Sequence, residues 1–231
     1  MEQQIKIAPK DMPKYIITSL IEADVTKDHI QDFLTRVKPH GFLSVAVDLP
    51  FVDMTVDFLK DVETHVTTVS SYPLGGMTTE TKLNQVAFAR EHGVFDIDVS
   101  MNYFAIKSGK FADVEDEVRR IMGEAQAVKV VLIPQVGILT NNEKAKTVEA
   151  LLKGGCTNIK TGSGFGWTTE VEDVVFLKRK FGDDLHIEVA GGVRTYDDAM
   201  AMMNAGAEIL HSSTAFKICG INEKLAYQKQ G

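Results

Sequence analysis

A chain of 231 residues that is 44% hydrophobic and 25% charged carries enough apolar side chain for a sizeable core and is too mixed to be fibrous or disordered. Its formal charge of −7, with the acidic residues dispersed, argues against a nucleic-acid partner but leaves room for an anionic substrate held by backbone amides. Two cysteines, Cys156 and Cys219, are too few for a disulfide framework or a cysteine metal cluster, which suits a reducing, cytoplasmic setting. No apolar run approaches membrane-spanning length and residues 1–14 hold no signal-like apolar stretch, so no membrane partner is expected.

Residues 15–22 are apolar and β-branched and form the first expected strand. Residues 27–39 space Ile30, Phe33, Leu34 and Val37 at helical intervals. A strand follows at 42–49, and Pro50 opens a short helix over 52–60, where a proline is tolerated in the first turn. The third strand, 65–72, runs into Pro73-Leu74-Gly75-Gly76 and precedes a helix over 78–91. Residues 95–102 are the fourth strand, and 111–126 a longer helix with Val114, Val118, Ile121 and Met122 on one face. The fifth strand, 128–136, leads to a helix over 142–152 that Gly154-Gly155 ends. A short strand at 158–160 enters the turn Thr161-Gly162-Ser163-Gly164-Phe165-Gly166, ahead of a helix at 170–181. The seventh strand, 185–190, closes at Gly191-Gly192, and its helix, 196–204, stops at Gly206. Residues 208–215 are the eighth strand and 222–230 the last helix.

Strands alternating with helices imply parallel pairing with crossovers. Eight such pairs in this length predict a TIM (β/α)8 barrel, one α/β domain spanning 1–231 with 1–14 as an N-terminal extension. An open doubly wound sheet is the runner-up, but Ile21-Glu22-Ala23-Asp24 after the first strand is unlike a dinucleotide-binding glycine turn.

Barrel chemistry sits at the C-terminal ends of the strands, so the polar residues that alternate inward there are the candidates. If Ile159 faces the helices, Lys160 points inward, where an ammonium is costly unless paired or neutralised. Lys160 is then a candidate amine nucleophile for a carbonyl substrate; the other reading is a solvated lysine at a strand end. If Ile97 and Val99 pack outward, Asp98, Ser100 and Asn102 line the barrel, making Asp98 a candidate general acid/base or simply a lysine's partner. The same logic turns Lys129 inward on strand five and Glu188 inward on strand seven. A second ammonium near Lys160 would favour its free amine and a carboxylate its charged form; Lys129 could equally be a floor residue paired with an acid.

Gly191-Gly192 and Ser212-Ser213 fall where such barrels hold phosphates, and Gly162 and Gly164 could add backbone N–H groups from the preceding loop. His211 and His65 read more readily as structural hydrogen-bonders than as catalysts. Trp167 is a candidate substrate wall or a cover for the lysine loop, and the cysteines receive no role.

Lys160-Thr161-Gly162-Ser163-Gly164-Phe165 resembles the Schiff-base lysine motif of the deoxyribose-phosphate aldolases, and Ala190-Gly191-Gly192-Val193-Arg194-Thr195 resembles their strand-seven phosphate turn. Asp96-Ile97-Asp98 with Asn102, Tyr72-Pro73-Leu74-Gly75 with Thr78-Thr79-Glu80, and Ala205-Gly206-Ala207 before Ser212-Ser213 fall in the same order, so the similarity runs roughly from Tyr15 to Ala215. The resemblance implies a class I aldolase. Lys160 forms an iminium with an aldehyde donor, and proton loss gives an enamine that attacks an acceptor aldehyde. Asp98 is the acid/base, and no metal or other cofactor is needed. The chain departs from that family where Glu188 replaces a second lysine, Ile17 an aspartate, Gln135 a carboxylate, and Leu210 and Thr214 small glycines.

The expected function is therefore carbon–carbon bond cleavage and formation on a sugar phosphate or related aldehyde, with a substrate shifted by these changes. Lys160, Asp98 and Glu188 carry the chemistry, while Gly162, Gly164, Gly191, Gly192, Ser212, Ser213, Asn102 and Lys129 surround the substrate. The alternatives are a non-catalytic sugar-phosphate-binding or regulatory barrel and another lysine-dependent lyase or transaldolase. A homodimer is expected by analogy and frequency.

Overall fold

The computed structural model describes residues 5–227. Its strands are β1 Ile16–Leu20, β2 Ser44–Val47, β3 His65–Ser70, β4 Asp96–Ser100, β5 Lys129–Ile133, β6 Asn158–Lys160, β7 His186–Ala190 and β8 Ile209–Ser212. All are parallel and paired in chain order, and β8 returns to β1 with Ile17 opposite His211, so the sheet closes into the TIM (β/α)8 barrel the alternation predicts. The covering helices are α1 Lys27–Val37, α2 Val52–Leu59, α3 Thr79–Glu91, α4 Tyr103–Lys107, α5 Phe111–Ala125, α6 Asn141–Lys153, α7 Val171–Phe181, α8 Tyr196–Ala205 and α9 Ala215–Ile218.

Helix starts follow local side-chain chemistry. Thr140 accepts from the Glu143 N–H while the Glu143 carboxylate accepts from the Thr140 N–H, and Thr195 and Asp198 do the same at α8. Strand alternation then divides the apolar residues into two sets. Val45, Val47, Ile97, Val99, Val130, Leu132, Ile159, Ile187, Val189 and Leu210 face outward and merge with Ile30, Phe33, Val118, Leu151 and Leu177 of the helices in one continuous core. The lumen receives Ile17, Val131 and Ile133, but also Ser44, Thr67, Asp96, Asp98, Ser100, Lys160, Glu188 and His211, all buried. A barrel interior is ordinarily filled with branched aliphatics. This one gives much of that volume to ionisable groups, a cost that only compensating contacts can offset.

The last helix is a correction. Residues 222–227 are irregular, and 228–230 lie outside the described residues. The short α9 takes the eighth helical place, because β8 stops at Ser212: Ser212 Oγ accepts from the Thr214 N–H and donates to the Val193 carbonyl, turning the chain away from the sheet. The short α4 and the 3-10 turn Pro9–Tyr15 were not legible in the sequence. That turn buries Met12, and the Leu43 N–H donates to the Pro13 carbonyl, so part of the expected extension packs into the body of the fold. Among the described residues no helix is long and apolar enough to cross a membrane.

One ion pair ties the helical layer together away from the lumen. Lys82 of α3, fully buried, donates to Glu117 of α5 at 2.9 Å. Burial pushes the Lys82 ammonium down, against the pull of Glu117. Glu117→Ala strands the lysine in apolar surroundings and is expected to cost about 3–5 kcal/mol, reduced to the extent that Lys82 sheds its proton. Urea unfolding at neutral pH measures it, and a change within about 0.5 kcal/mol would show the pair to be dispensable.

Candidate active site

A cavity of about 300 Å³ opens at the C-terminal ends of the strands, with Lys160 on its wall. Lys160 is the last residue of β6 and 3% exposed. Its Nζ donates to Asp98 Oδ2 at 2.6 Å and lies 5.3 Å from the centre of the Tyr72 ring. A three-residue strand would be a loose mount, and the flanking contacts compensate. The Thr161 N–H donates to the Glu188 carbonyl and the Val136 N–H to the Thr161 carbonyl. Thr169 Oγ1 donates to the Ala190 carbonyl and lies 2.8 Å from Thr161 Oγ1. Gln135, in a left-handed conformation at φ +59°, accepts from the Ser163 N–H at 2.8 Å. Tyr72 closes the loop from the other side by donating its phenol to the Ser163 carbonyl, and burial, with the charge of Asp98 nearby, holds that phenol protonated by pushing its pKa up.

Beneath Lys160 the lumen holds a connected polar column. Glu188 Oε1 accepts from Lys129 Nζ at 2.7 Å, and Glu188 Oε2 lies 2.6 Å from His211 Nε2. The other ring nitrogen, His211 Nδ1, is 3.8 Å from Asp98 Oδ2, the oxygen Lys160 uses. Asp98 Oδ1 has no hydrogen-bond partner among the described residues. Deeper still, Thr67 donates to Asp96 and lies 2.7 Å from Ser44 Oγ.

Charge follows from this geometry. Burial opposes ionisation of Glu188, but the hydrogen bond from His211, the charge that ring carries once protonated in acid, and the charge and hydrogen bond of Lys129 outweigh it and bring its carboxyl down to about 2. Burial likewise opposes the charge on Lys129, and Glu188 overcomes it, raising the ammonium. Asp96 is pushed well up by burial and by the negative charges of Glu188 and Asp98, which favours its neutral form.

These shifts give acid stability a definite sign. Glu188, depressed from about 4.3, contributes stability above that value that is lost as pH falls toward about 2. Asp96, raised, contributes below about 3.9 and loses its contribution as pH climbs through its folded value. In Glu188→Gln the first contribution is gone, so the fall in melting temperature between about pH 4.5 and pH 2 is expected to be shallower than in the wild type. Equal slopes would mean that Glu188 is not the ionised partner of His211 and Lys129.

The structure sorts the residues singled out by sequence. Gly164, Gly191, Gly192, Ser212 and Ser213 line the same cavity as Lys160, together with Thr214. Gly191 has φ +88°, and a Cβ there would meet the Trp167 carbonyl oxygen at 2.9 Å, so the turn needs glycine. Asp98 and Glu188 sit below the cavity. Three others take different places. Asn102 caps α4 by accepting from the Ala105 N–H at 3.0 Å, Lys129 is bound to Glu188 on the floor, and Gly162 is buried behind the loop with Ala190 against it. Leu210 packs outward into the helix layer. Trp167 is 47% exposed and lies outside the cavity, and His65 stacks on Phe95 at 4.1 Å, on the far side of the barrel from the cavity. Arg194 of the strand-seven motif lines the cavity, and Ser19, Glu22 and His211, which line it too, were not anticipated there. The signal for His211 was present: once Leu210 faces out, alternation sends His211 in.

Asp98, Glu188 and His211 also present ligand atoms within 4.8 Å of one another, the kind of cluster that holds a metal ion. Lys160 and Lys129 already compensate the two carboxylates, so an added cation would face two ammonium groups.

No family model matches the chain. Individual relatives do. It is 33% identical over 214 residues to a deoxyribose-phosphate aldolase of Caldanaerobacter subterraneus subsp. tengcongensis, covering 90% of this chain and 92% of the relative. It is 34% identical over 209 residues to that of Staphylococcus carnosus, covering 90% and 95%. Among solved structures, an aldolase called QR15 superposes with a TM-score of 0.86 at 26% identity, covering 91% of this chain and 95% of the other. The deoxyribose phosphate aldolase of Aeropyrum pernix, described as tetrameric, shares the fold with a TM-score of 0.85 at 21% identity over 92% and 91%. With identity above 30% along nine-tenths of its length and a buried lysine at the mouth of the same barrel, the chain belongs to the deoxyribose-phosphate aldolase family.

Proposed function

We propose that this protein is a class I aldolase that makes and breaks a carbon–carbon bond on a phosphorylated aldehyde sugar through an iminium on Lys160. The observation that carries the reading is the pairing of a buried lysine, Nζ 2.6 Å from Asp98, with a cavity open to its amine. A carbonyl entering that cavity meets a nucleophile and, directly behind it, a carboxylate able to move the protons of carbinolamine formation and loss. The iminium then acts as the electron sink for the bond that breaks.

The acceptor end of the substrate lies against Gly191, Gly192 and Ser213, with Arg194 on the same wall. Backbone N–H groups in left-handed glycine turns form an anion-binding concavity, and Arg194 adds a cation. Deoxyribose 5-phosphate fits this division, a donor carbonyl at Lys160 and a phosphate at the glycine turn. Buried, unbridged Cys156 and Cys219 suit a reducing, cytoplasmic setting. The homodimer expected by analogy is part of this reading, and light scattering tests it against a tetramer.

The test of function is a retro-aldol assay on phosphorylated and unphosphorylated deoxy sugars, following release of the small aldehyde. The reading expects cleavage with a preference for the phosphorylated sugar. Binding without cleavage of any of them would favour the regulatory barrel, for which Ile17 and Glu188 speak.

A further inference from the structure

Resting on Lys160 as the imine-forming amine, we propose that His211 is the relay group of this site, taking protons from and returning them to Lys160 and the bound substrate by way of the Asp98 carboxylate. The geometry is specific. A carboxylate only accepts, so the 2.6 Å contact between Glu188 Oε2 and His211 Nε2 places the ring hydrogen on Nε2. Lys129, on the other Glu188 oxygen, keeps that acceptor anionic. The basic nitrogen left over is Nδ1, 3.8 Å from Asp98 Oδ2. Lys160 donates to that same oxygen at 2.6 Å. One carboxylate oxygen thus has a proton donor at 2.6 Å on one side and the basic ring nitrogen at 3.8 Å on the other, a gap that must shorten to hydrogen-bond distance for the transfer. His211 also lines the cavity, so the acceptor is not walled off from the substrate.

Charge bookkeeping in the lumen points the same way. The ionisable groups facing His211 are Asp96 and Asp98 of β4, Lys129 of β5, Lys160 of β6 and Glu188 of β7, with Glu22 and Arg194 at the mouth. From β1, β2 and β3 the inward residues Ile17, Ser44 and Thr67 carry no charge, and His65, in register with Ser44, lies exposed at the far end of the barrel. Burial pushes Asp96 toward its neutral form, which leaves Glu188 and Asp98 as the carboxylates that face the three basic groups. Lys129 balances Glu188. Asp98 then needs one cation, and Lys160 and His211 are the two groups that can supply it. A buried cluster resists an uncompensated charge, so a proton leaving Lys160 is best kept on His211.

The steps balance. The Lys160 ammonium passes a proton through Asp98 Oδ2 to Nδ1, leaving a lone pair on Nζ and an imidazolium against Glu188. The amine adds to the carbonyl carbon, the C–O π pair moves to oxygen, and a proton moves from nitrogen to that oxygen. The imidazolium then returns its proton by the same route to the hydroxyl, which leaves as water while the nitrogen lone pair closes the iminium. Ammonium and aldehyde have become iminium and water, and His211 ends neutral as it began.

His211→Gln tests this, because its side-chain amide can still donate to Glu188 but holds no titratable base. The turnover of carbon–carbon cleavage is expected to fall by about 10²–10³-fold, with the acidic limb of the kcat–pH profile abolished. Borohydride should still trap the adduct at Lys160, more slowly. A variant with wild-type turnover and an unchanged pH profile would overturn the relay and leave His211 as a counter-ion for Glu188. If the wild type itself traps no adduct at Lys160, the Schiff-base reading fails and the relay falls with it, an outcome distinct from the first. Should His211→Gln fail to fold, 15N-histidine NMR compares the wild type with Lys160→Met. The relay predicts that the His211 titration midpoint rises by about one pH unit or more when the lysine is absent, since His211 alone then balances Asp98. An unmoved midpoint would overturn the proposal.

Discussion

Lys160→Met is expected to remove carbon–carbon lyase activity by about 10⁵-fold or more, the scale on which covalent enzymes lose turnover when their nucleophile is deleted. The cavity offers no substitute. Lys160 is the lysine on its lining among the described residues, and Lys129 lies beneath, bound to Glu188 at 2.7 Å. Methionine nearly preserves the volume of the buried stem, so packing around Tyr72 and Ser163 should survive. What is lost is the cation beside Asp98. Breaking a buried pair commonly costs about 3–5 kcal/mol, and here the cost should be smaller because His211 Nδ1, 3.8 Å from the same oxygen, can take a proton in its place. Denaturant unfolding and steady-state assays on one preparation separate the two effects. A folded variant keeping about one hundredth of wild-type turnover would mean that the nucleophile is another group.

Asp98→Asn is expected to lower turnover by about 10²–10⁴-fold while leaving the lysine able to form its adduct. The amide keeps the shape of the carboxylate and can still accept from Lys160, but it cannot carry a proton onward. Removing the negative charge also favours the free amine at Lys160. The prediction is therefore a split, with borohydride still trapping a donor aldehyde on Lys160, more slowly than in the wild type, and cleavage of the sugar phosphate slowed much further. Loss of trapping in a folded Asp98→Asn protein would assign Asp98 to activating the amine. Unchanged turnover would remove it from the reaction.

Much of this was legible in the chain because the barrel imposes a simple code. Ile97, Val99, Val130, Leu132, Ile159, Ile187 and Val189 announce the outward phase of their strands, so Asp98, Lys129, Lys160 and Glu188 had to turn inward, and they do. Strand eight withholds that phase. Ile209-Leu210-His211-Ser212 has an apolar residue on each face, so only its register with Ile17 and Ala190 sends Leu210 out and His211 in. This is why Leu210 stood out only as a departure from the resembled family and His211 was left among the structural histidines. Asn102 illustrates the other limit. Alternation past the end of β4 put it in the lumen, but the chain had already turned, and a side-chain oxygen at that point caps α4. The last helix failed for a related reason: the periodicity at 222–230 is real, but in residues 222–227 it forms no helix, and the short α9 takes the eighth helical place.

The changes at Ile17 and Glu188 also look different with the lumen in view. Ile17 lies opposite His211 across the β1–β8 seam, and Glu188 is bound to His211 directly. Both positions thus adjoin His211, Ile17 as its neighbour in strand register and Glu188 as its hydrogen-bond partner.

The claim on which everything rests is that Lys160 forms the covalent intermediate. The measurement that tests it most directly is peptide mapping by mass spectrometry after incubation with acetaldehyde, small ketones or sugar phosphates and reduction with borohydride, with Lys160→Met in parallel. The account predicts one stoichiometric adduct on the peptide bearing Lys160, absent from the variant. A folded protein that gives no adduct with any of these carbonyls, or carries it on a different lysine, would contradict it.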